Sequence, residues 1–92
     1  MWERFEMSLT SANLVTLVNE MKGEGLSQLE IYDRFEHFRA MLRETSREKD
    51  EDTVIDILDR IVGWCSPQAK LFTRSLSNEE IESYYKTKNT DE

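Results

Sequence analysis

Two copies of one helix-initiation signal constrain the fold of this chain more than any other feature. The hexapeptide Leu26–Ile31 (LSQLEI) returns fifty positions later as Leu76–Ile81 (LSNEEI). In each copy the serine is suited to cap a helix, and the glutamate three residues later can return a hydrogen bond to the cap. The flanking leucine and isoleucine are spaced to pack on each other as a hydrophobic staple. The likeness ends there, so it indicates recurrent capping and not an internal duplication.

The scarcity of turn-forming residues favours a few long helices over many short strands. The 92 residues include three glycines and one proline, and a chain of this length forms one domain. We therefore expect a single all-α domain over residues 1–92, a small bundle of four to five amphipathic helices around an antiparallel helical hairpin. Residues 1–8 are expected to form a short helical turn or a loose arm, and residues 87–92 a frayed polar tail.

Apolar periodicity places the individual helices and their buried faces. The predicted helices run from about Ser11 to Lys22, from Ser27 to about Glu44, from a cap at Thr45 or Ser46 to near Trp64, over Gln68–Phe72 behind Ser66-Pro67, and from Ser77 to about Lys86. The first two should form the hairpin, with the third alongside; a continuous bent helix through Thr45 is the alternative. The predicted core comprises Leu14, Val18, Met21, Ile31, Phe35, Phe38, Leu42, Val54, Leu58, Ile61, Val62 and Ile81.

The overall charge favours a protein partner over nucleic acid or an anionic membrane. Nineteen acidic residues outnumber 12 lysines and arginines, which gives a net charge of −7, whereas phosphate binding requires clustered cations. Cys65 is the single cysteine, so no intrachain disulfide can form. The sequence shows no apolar run typical of a signal peptide or a membrane span. We expect a cytoplasmic protein.

Acidic residues are concentrated in one segment of the chain. Residues 44–59 contain seven acids and two bases, a local net charge of −5. This segment predicts a docking face for a basic protein surface, formed by Glu48, Glu51, Asp52, Asp56 and Asp59. The competing interpretation is a solvated helix whose acids favour the helix N-terminus. Small acidic adaptors, inhibitors and immunity proteins share this size and charge, and our first hypothesis is a non-catalytic interaction module of that class.

The chain also has more large apolar residues than a short core requires. We expect part of this surplus to form an interface, because tryptophan and tyrosine are enriched at contact hot spots. The candidate interface residues are Leu29, Tyr32, Trp64, Tyr84 and Tyr85. A structural homodimer and a complex with another protein are both consistent with this pattern.

Paired carboxylates provide an enzymatic alternative. Glu30 and Asp33, and likewise Asp56 and Asp59, are three residues apart on two predicted helices. This spacing resembles that of all-helical nucleotide pyrophosphohydrolases of the MazG type, and the resemblance implies Mg²⁺-dependent hydrolysis. Both pairs are expected to project towards solvent, away from the apolar faces. We therefore predict no metal or other cofactor.

Three further features have simpler explanations than catalysis or DNA binding. The segment from Gly25 to Ile31 resembles the start of many helix-turn-helix domains, but the turn and the basic recognition helix that should follow are missing. His37 and Cys65 lack partners for a zinc site or a nucleophilic site, and His37 is placed to pair with Asp33. An arginine ladder at positions 39, 43 and 47 is expected to pair mainly with neighbouring glutamates.

Overall fold

The protein is an all-α bundle, as the sequence predicts. In a computed structural model, which describes residues 3–89, no strand is present and the chain forms five α-helices. These are α1 (Glu3–Glu6), α2 (Ser11–Gly23), α3 (Gln28–Glu44), α4 (Glu48–Val62) and α5 (Asn78–Asn89), with one 3₁₀ turn at Pro67–Ala69. Helix α5 thus continues three residues past the predicted end at Lys86. Trp2 and residues 90–92 lie outside the described part.

Helices α3 and α4 form the central antiparallel hairpin. Arg39, near the end of α3, pairs with Glu51, near the start of α4, and the side-chain amide of Gln28, at the start of α3, donates to the Ile61 carbonyl, near the end of α4, at 2.9 Å. These two contacts fix opposite directions for the two helices. The sequence interpretation paired the first two long helices instead, but α2 lies mainly against α4. The broad apolar face of α4 explains the difference, because it packs on both neighbours at once.

The core is the predicted one with four additions. Every predicted core residue is buried except Ile81, which is half-buried. The additional buried side chains are Phe5, Leu17, Ile57 and Leu76. The ring of Phe5 lies with its centroid 4.9 Å from that of Phe35 and 4.7 Å from that of Phe38. Residues 3–6 are therefore an integral helix and not a loose arm.

The first copy of the repeated hexapeptide forms a complete capping box. The Ser27 hydroxyl accepts from the Glu30 backbone N–H at 3.2 Å, and the Ser27 N–H donates to the Glu30 carboxylate at 2.9 Å. In the second copy the Ser77 hydroxyl also accepts from the Glu80 backbone N–H, at 3.1 Å. Here the Glu80 carboxylate contacts the Ser77 hydroxyl, at 3.4 Å, and not the Ser77 N–H. Both serines therefore cap helices, as predicted.

The junction between α3 and α4 differs from the prediction in its cap. Neither Thr45 nor Ser46 caps α4: the Thr45 hydroxyl donates back to the Met41 and Leu42 carbonyls at 3.0 and 3.1 Å, and Ser46 has a left-handed φ of 60°. The residue preceding α4 is Arg47, which provides no side-chain cap. The left-handed residue separates the two helices, so the continuous bent helix is excluded.

The segment after α4 is mostly irregular. Helix α4 ends at Val62 with a left-handed Gly63, and the predicted helix at 68–72 is reduced to the 3₁₀ turn, which Ser66 does not cap with its side chain. Backbone bonds from Leu71 N–H to the Arg60 carbonyl (3.0 Å) and from Leu76 N–H to the Val62 carbonyl (2.8 Å) hold this loop on the end of α4. Among residues 3–89, no helix is both long and apolar enough to cross a membrane.

Candidate functional site

Four carboxylates form one line along the exposed side of α4. We call Glu48, Asp52, Asp56 and Asp59 the acidic stripe; all four are exposed. Their spacing of four, four and three residues keeps them within an arc of roughly 80° over a length of roughly 16 Å. No ion pair within residues 3–86 engages any of them. The stripe is thus a row of like charges without a direct ion pair in the described part of the fold, and Arg43 is the basic residue that lines a shared depression with Glu48 and Asp52.

The fifth predicted docking residue, Glu51, has a different environment. Its side chain is 14% exposed, and its carboxylate accepts a hydrogen bond of 3.1 Å from Arg39, which also pairs with Glu36. Glu51 therefore contributes to the hairpin, and its charge is compensated within the fold. Asp50 is similarly paired with Arg47, at 2.9 Å.

An apolar side chain borders the acidic stripe. Ile55 lies along one edge of the stripe on α4 and is 38% exposed. Most of the other large aliphatic residues of α4 are buried. A surface that combines carboxylates with one aliphatic contact can bind a partner that is both basic and partly apolar.

The predicted interface residues are partly covered by α5. Leu29 and Tyr32 on α3 and Tyr84 and Tyr85 on α5 are half-buried, and the two α5 rings contact each other edge to face at 5.5 Å. Burial, followed by the charge of Asp33, raises the pKa of Tyr85, and burial also raises the pKa of Tyr32. Their role in binding another protein stays a prediction, because part of each residue's surface is used inside this chain.

Trp64 is the most exposed member of the predicted interface set. Its side chain is 53% exposed, while its indole N–H donates to the Leu76 carbonyl at 3.2 Å. The hydrogen bond fixes the ring at the end of α4 and beside the start of α5. A large ring held in place with half its surface in solvent is a suitable contact residue.

The paired carboxylates proposed as a metal site do not come together. Asp33 was expected to face solvent but is 8% exposed, and its carboxylate lies 3.2 Å from Nδ1 of His37, in the predicted pair. It turns inward because α5 covers that side of α3. Glu30 is occupied by the Ser27 cap, whose hydrogen bonds lower the pKa of its carboxyl. Within the described residues, no three acidic, histidine or cysteine side chains are arranged to hold a metal ion.

Two of the three arginines of the predicted ladder form ion pairs, and Arg43 forms none within residues 3–86. Arg39 binds Glu36 and Glu51, and Arg47 lies outside α3 and binds Glu6 and Asp50. The two arginines therefore connect α3 to α4 and α1 to α4, respectively. Cys65 is a half-buried thiol just beyond the end of α4.

A basic groove was missed by the sequence interpretation. It is an open depression of about 640 Å³ between the end of α2 and the loop after α4. We call it the basic groove; its lining residues are Lys22, Pro67, Lys70, Leu71, Phe72 and Thr73. A signal for it was present, because residues 60–78 contain three basic residues and no acid, but the overall acidity of the chain hid that local reversal.

Comparisons with known proteins identify no relative of this chain. No protein family, no curated protein and no solved structure matches the chain.

Proposed function

We propose that this protein is a non-catalytic interaction module of the adaptor or inhibitor type, and that the acidic stripe docks on a basic surface of a partner protein. The observation that supports the proposal is the absence of an internal ion pair for the exposed carboxylates of Glu48, Asp52, Asp56 and Asp59 within the described residues. Asp50 and Glu51, on the same helix, are paired. The fold thus compensates the acids that face it and leaves the outward row for another molecule.

The physical consequence is binding that depends strongly on salt. Aligned carboxylates attract a basic surface at long range and increase the association rate, whereas screening shortens that range to about 8 Å at physiological ionic strength. Exposed charge pairs contribute about 0–1 kcal/mol each, so the stripe alone gives a modest affinity. Ile55, at the edge of the stripe, supplies apolar contact that salt does not screen.

The proposal includes the partner class and the setting. The partner is a protein and not nucleic acid, because phosphates would be repelled by the stripe. A single half-buried cysteine is compatible with a reducing, cytoplasmic environment. A metal-dependent hydrolase, the enzymatic alternative, receives no support from the positions of Glu30, Asp33, Asp56 and Asp59.

The proposal is tested by comparing what native and variant proteins retain from a lysate of the source organism. The variant Asp52→Asn/Asp56→Asn/Asp59→Asn removes three of the four charges of the stripe. The native protein should retain a stoichiometric basic protein at low salt and lose it at high salt, and the variant should not retain it. Quantitative mass spectrometry of the bound fractions measures the difference, and the purified partner then gives a dissociation constant.

A matched control separates the stripe from net charge. Glu3→Gln/Glu44→Gln/Glu82→Gln removes the same number of charges from exposed positions elsewhere and should retain the partner as the native protein does. If both variants lose the partner equally, the binding depends on the overall negative charge of the protein and not on the stripe. If native and stripe variant retain the same basic proteins, the proposal is wrong.

A further inference from the structure

The basic groove presents two lysines that no carboxylate neutralises. Lys22 and Lys70 line it, and neither forms an ion pair within residues 3–86. Among residues 3–86, arginines 4, 39, 47 and 74 pair with carboxylates, and Lys22 and Lys70 belong to the larger group of basic residues that do not. No acidic residue lines the groove, although the chain has a net charge of −7. The groove is therefore a local region of positive charge on an acidic molecule.

The ammonium group of Lys22 is held in position. It donates a hydrogen bond to the Leu71 carbonyl and lies 4.1 Å from the centroid of the Phe72 ring, a cation–π geometry. An ammonium has three N–H donors, so a carboxylate can bind Lys22 without breaking the contact with Leu71. The long side chain is already ordered, which reduces the entropy lost on binding.

The floor of the groove is apolar and firmly attached to the bundle. Leu71 and Phe72 are half-buried and pack against the core, and the Leu71 N–H is bonded to the Arg60 carbonyl at 3.0 Å. The groove thus offers two cations beside an aromatic ring and an aliphatic side chain. The complementary ligand carries carboxylates beside an exposed aliphatic residue.

The acidic stripe of this same chain has that composition. Asp52, Asp56 and Asp59 lie to one side of Ile55, which is 38% exposed. We propose that the basic groove of one molecule binds the acidic stripe of a second copy, with carboxylates against Lys22 and Lys70 and Ile55 against Phe72. This inference rests on the proposed function and names the basic surface that the stripe recognises.

The resulting assembly has a defined geometry. The two contacting surfaces are different parts of the chain, so the interface is heterologous, and each molecule in a dimer keeps one free stripe or one free groove. Further copies can add until a ring closes. The net charge of each molecule opposes assembly, but it is screened beyond about 8 Å at physiological salt, whereas opposed charges in contact are screened less.

Complementary variants test the contact by sedimentation velocity from 10 µM to 1 mM. Neutralising the groove (Lys22→Gln/Lys70→Gln), or removing three of the four stripe charges (Asp52→Asn/Asp56→Asn/Asp59→Asn), should weaken self-association at least tenfold. An equimolar mixture of the two variants retains one intact groove and one intact stripe. It should form a 1:1 dimer and nothing larger, whereas the native protein should continue to larger species. The control Arg34→Gln/Lys86→Gln, with the same loss of positive charge elsewhere, should associate like the native protein.

Several results would overturn the inference. The inference is wrong if the native protein, of 10.9 kDa, stays monomeric throughout this concentration range. It is also wrong if the groove and stripe variants associate like the native chain, or if their mixture stays monomeric. Circular dichroism checks folding, and Lys70→Glu, a single change in the loop, should weaken association even if the double variant misfolds. A monomeric native protein whose stripe still captures another basic protein would overturn this inference and leave the proposed function standing.

Discussion

At the residue scale, Phe5 determines whether the N-terminal helix belongs to the bundle. Its ring is 5% exposed and contacts both Phe35 and Phe38. Phe5→Ala should lower the free energy of unfolding by about 3–5 kcal/mol, because truncation removes buried area and leaves a cavity. Urea denaturation followed by circular dichroism measures this. Met7→Ala is the control, since Met7 is 83% exposed and its truncation should change little; equal effects at both positions would contradict the docking of α1.

Tyr85 is the residue whose ionisation should affect stability at alkaline pH. Burial and the carboxylate of Asp33 raise its pKa above the ordinary value near 10. A raised pKa means that the folded state holds the proton more tightly than the unfolded state. This contribution is complete below pH 10 and is lost as the pH rises further.

Tyr85→Phe isolates that contribution. We expect the native protein to lose more stability than Tyr85→Phe between pH 9 and roughly pH 11.5, because the variant has no phenol to ionise at this site. Urea denaturation of both proteins across that range provides the comparison, in which titrating lysines affect both alike. Parallel pH profiles would show that the Tyr85 hydroxyl has the same pKa in both states.

At the element scale, the two capping serines should have unequal effects. Ser27 forms a reciprocal capping box at the start of α3, the central helix, so Ser27→Ala should cost about 1 kcal/mol of global stability. Ser77 caps α5 at the edge of the bundle, where Ser77→Ala should mainly increase amide hydrogen exchange within that helix. Urea denaturation and exchange mass spectrometry measure the two effects. Similar losses of global stability in the two variants would show that α5 contributes to the stability of the bundle as much as α3 does.

Two glycines at helix ends should respond in opposite directions to alanine. Gly23 is the last residue of α2, and nothing lies within 4 Å of an added Cβ; Gly23→Ala should stabilise by about 0.4–1 kcal/mol. Gly63 has φ of +92°, and its added Cβ would lie 3.0 Å from Cα of Ser75. Gly63→Ala should therefore destabilise by about 2 kcal/mol. Thermal denaturation ranks the three proteins, and a stable Gly63→Ala variant would contradict the close approach of Ser75.

Sequence patterns anticipated the elements wherever local chemistry determined them. The cap at Ser27 and the apolar faces of α2 to α4 follow from spacing alone. The α3–α4 junction was harder, because Ser46 adopts a left-handed φ that its residue type does not specify, and the Thr45 hydroxyl bonds backwards to Met41. The predicted cap was wrong at both hydroxyls, because α4 begins after Arg47 without a side-chain cap.

At the scale of the whole molecule, charge is distributed unevenly. Residues 44–59 carry a net charge of −5, whereas residues 60–78 carry three bases and no acid. The acidic stripe could be anticipated because a helical period places its members on one side. The basic segment 60–78 could be read from the sequence, but its meeting with Lys22 on α2 to form the groove could not, since Lys22 and Lys70 come together only through tertiary packing. The burial of Asp33 was missed for the same reason, because α5 covers it.

A surface kept for binding need not stabilise the fold, and the acidic stripe provides a test of this. Neighbouring carboxylates in the stripe are three or four residues apart and repel one another, which destabilises the helix by about 0.2–0.5 kcal/mol per pair. Three such pairs follow from Glu48 to Asp59. Asp52→Asn/Asp56→Asn/Asp59→Asn should therefore stabilise the protein by about 1 kcal/mol at low salt.

The salt dependence identifies the cause of this gain. Added salt screens repulsion between exposed charges, so the advantage of the stripe variant should shrink between 20 mM and 500 mM NaCl. Urea denaturation of native, stripe and Glu3→Gln/Glu44→Gln/Glu82→Gln proteins at both concentrations measures it. The control removes three charges from separate sites and should gain less. A variant less stable than the native chain would show that these carboxylates support the fold, and would remove the main argument that they are kept for a partner.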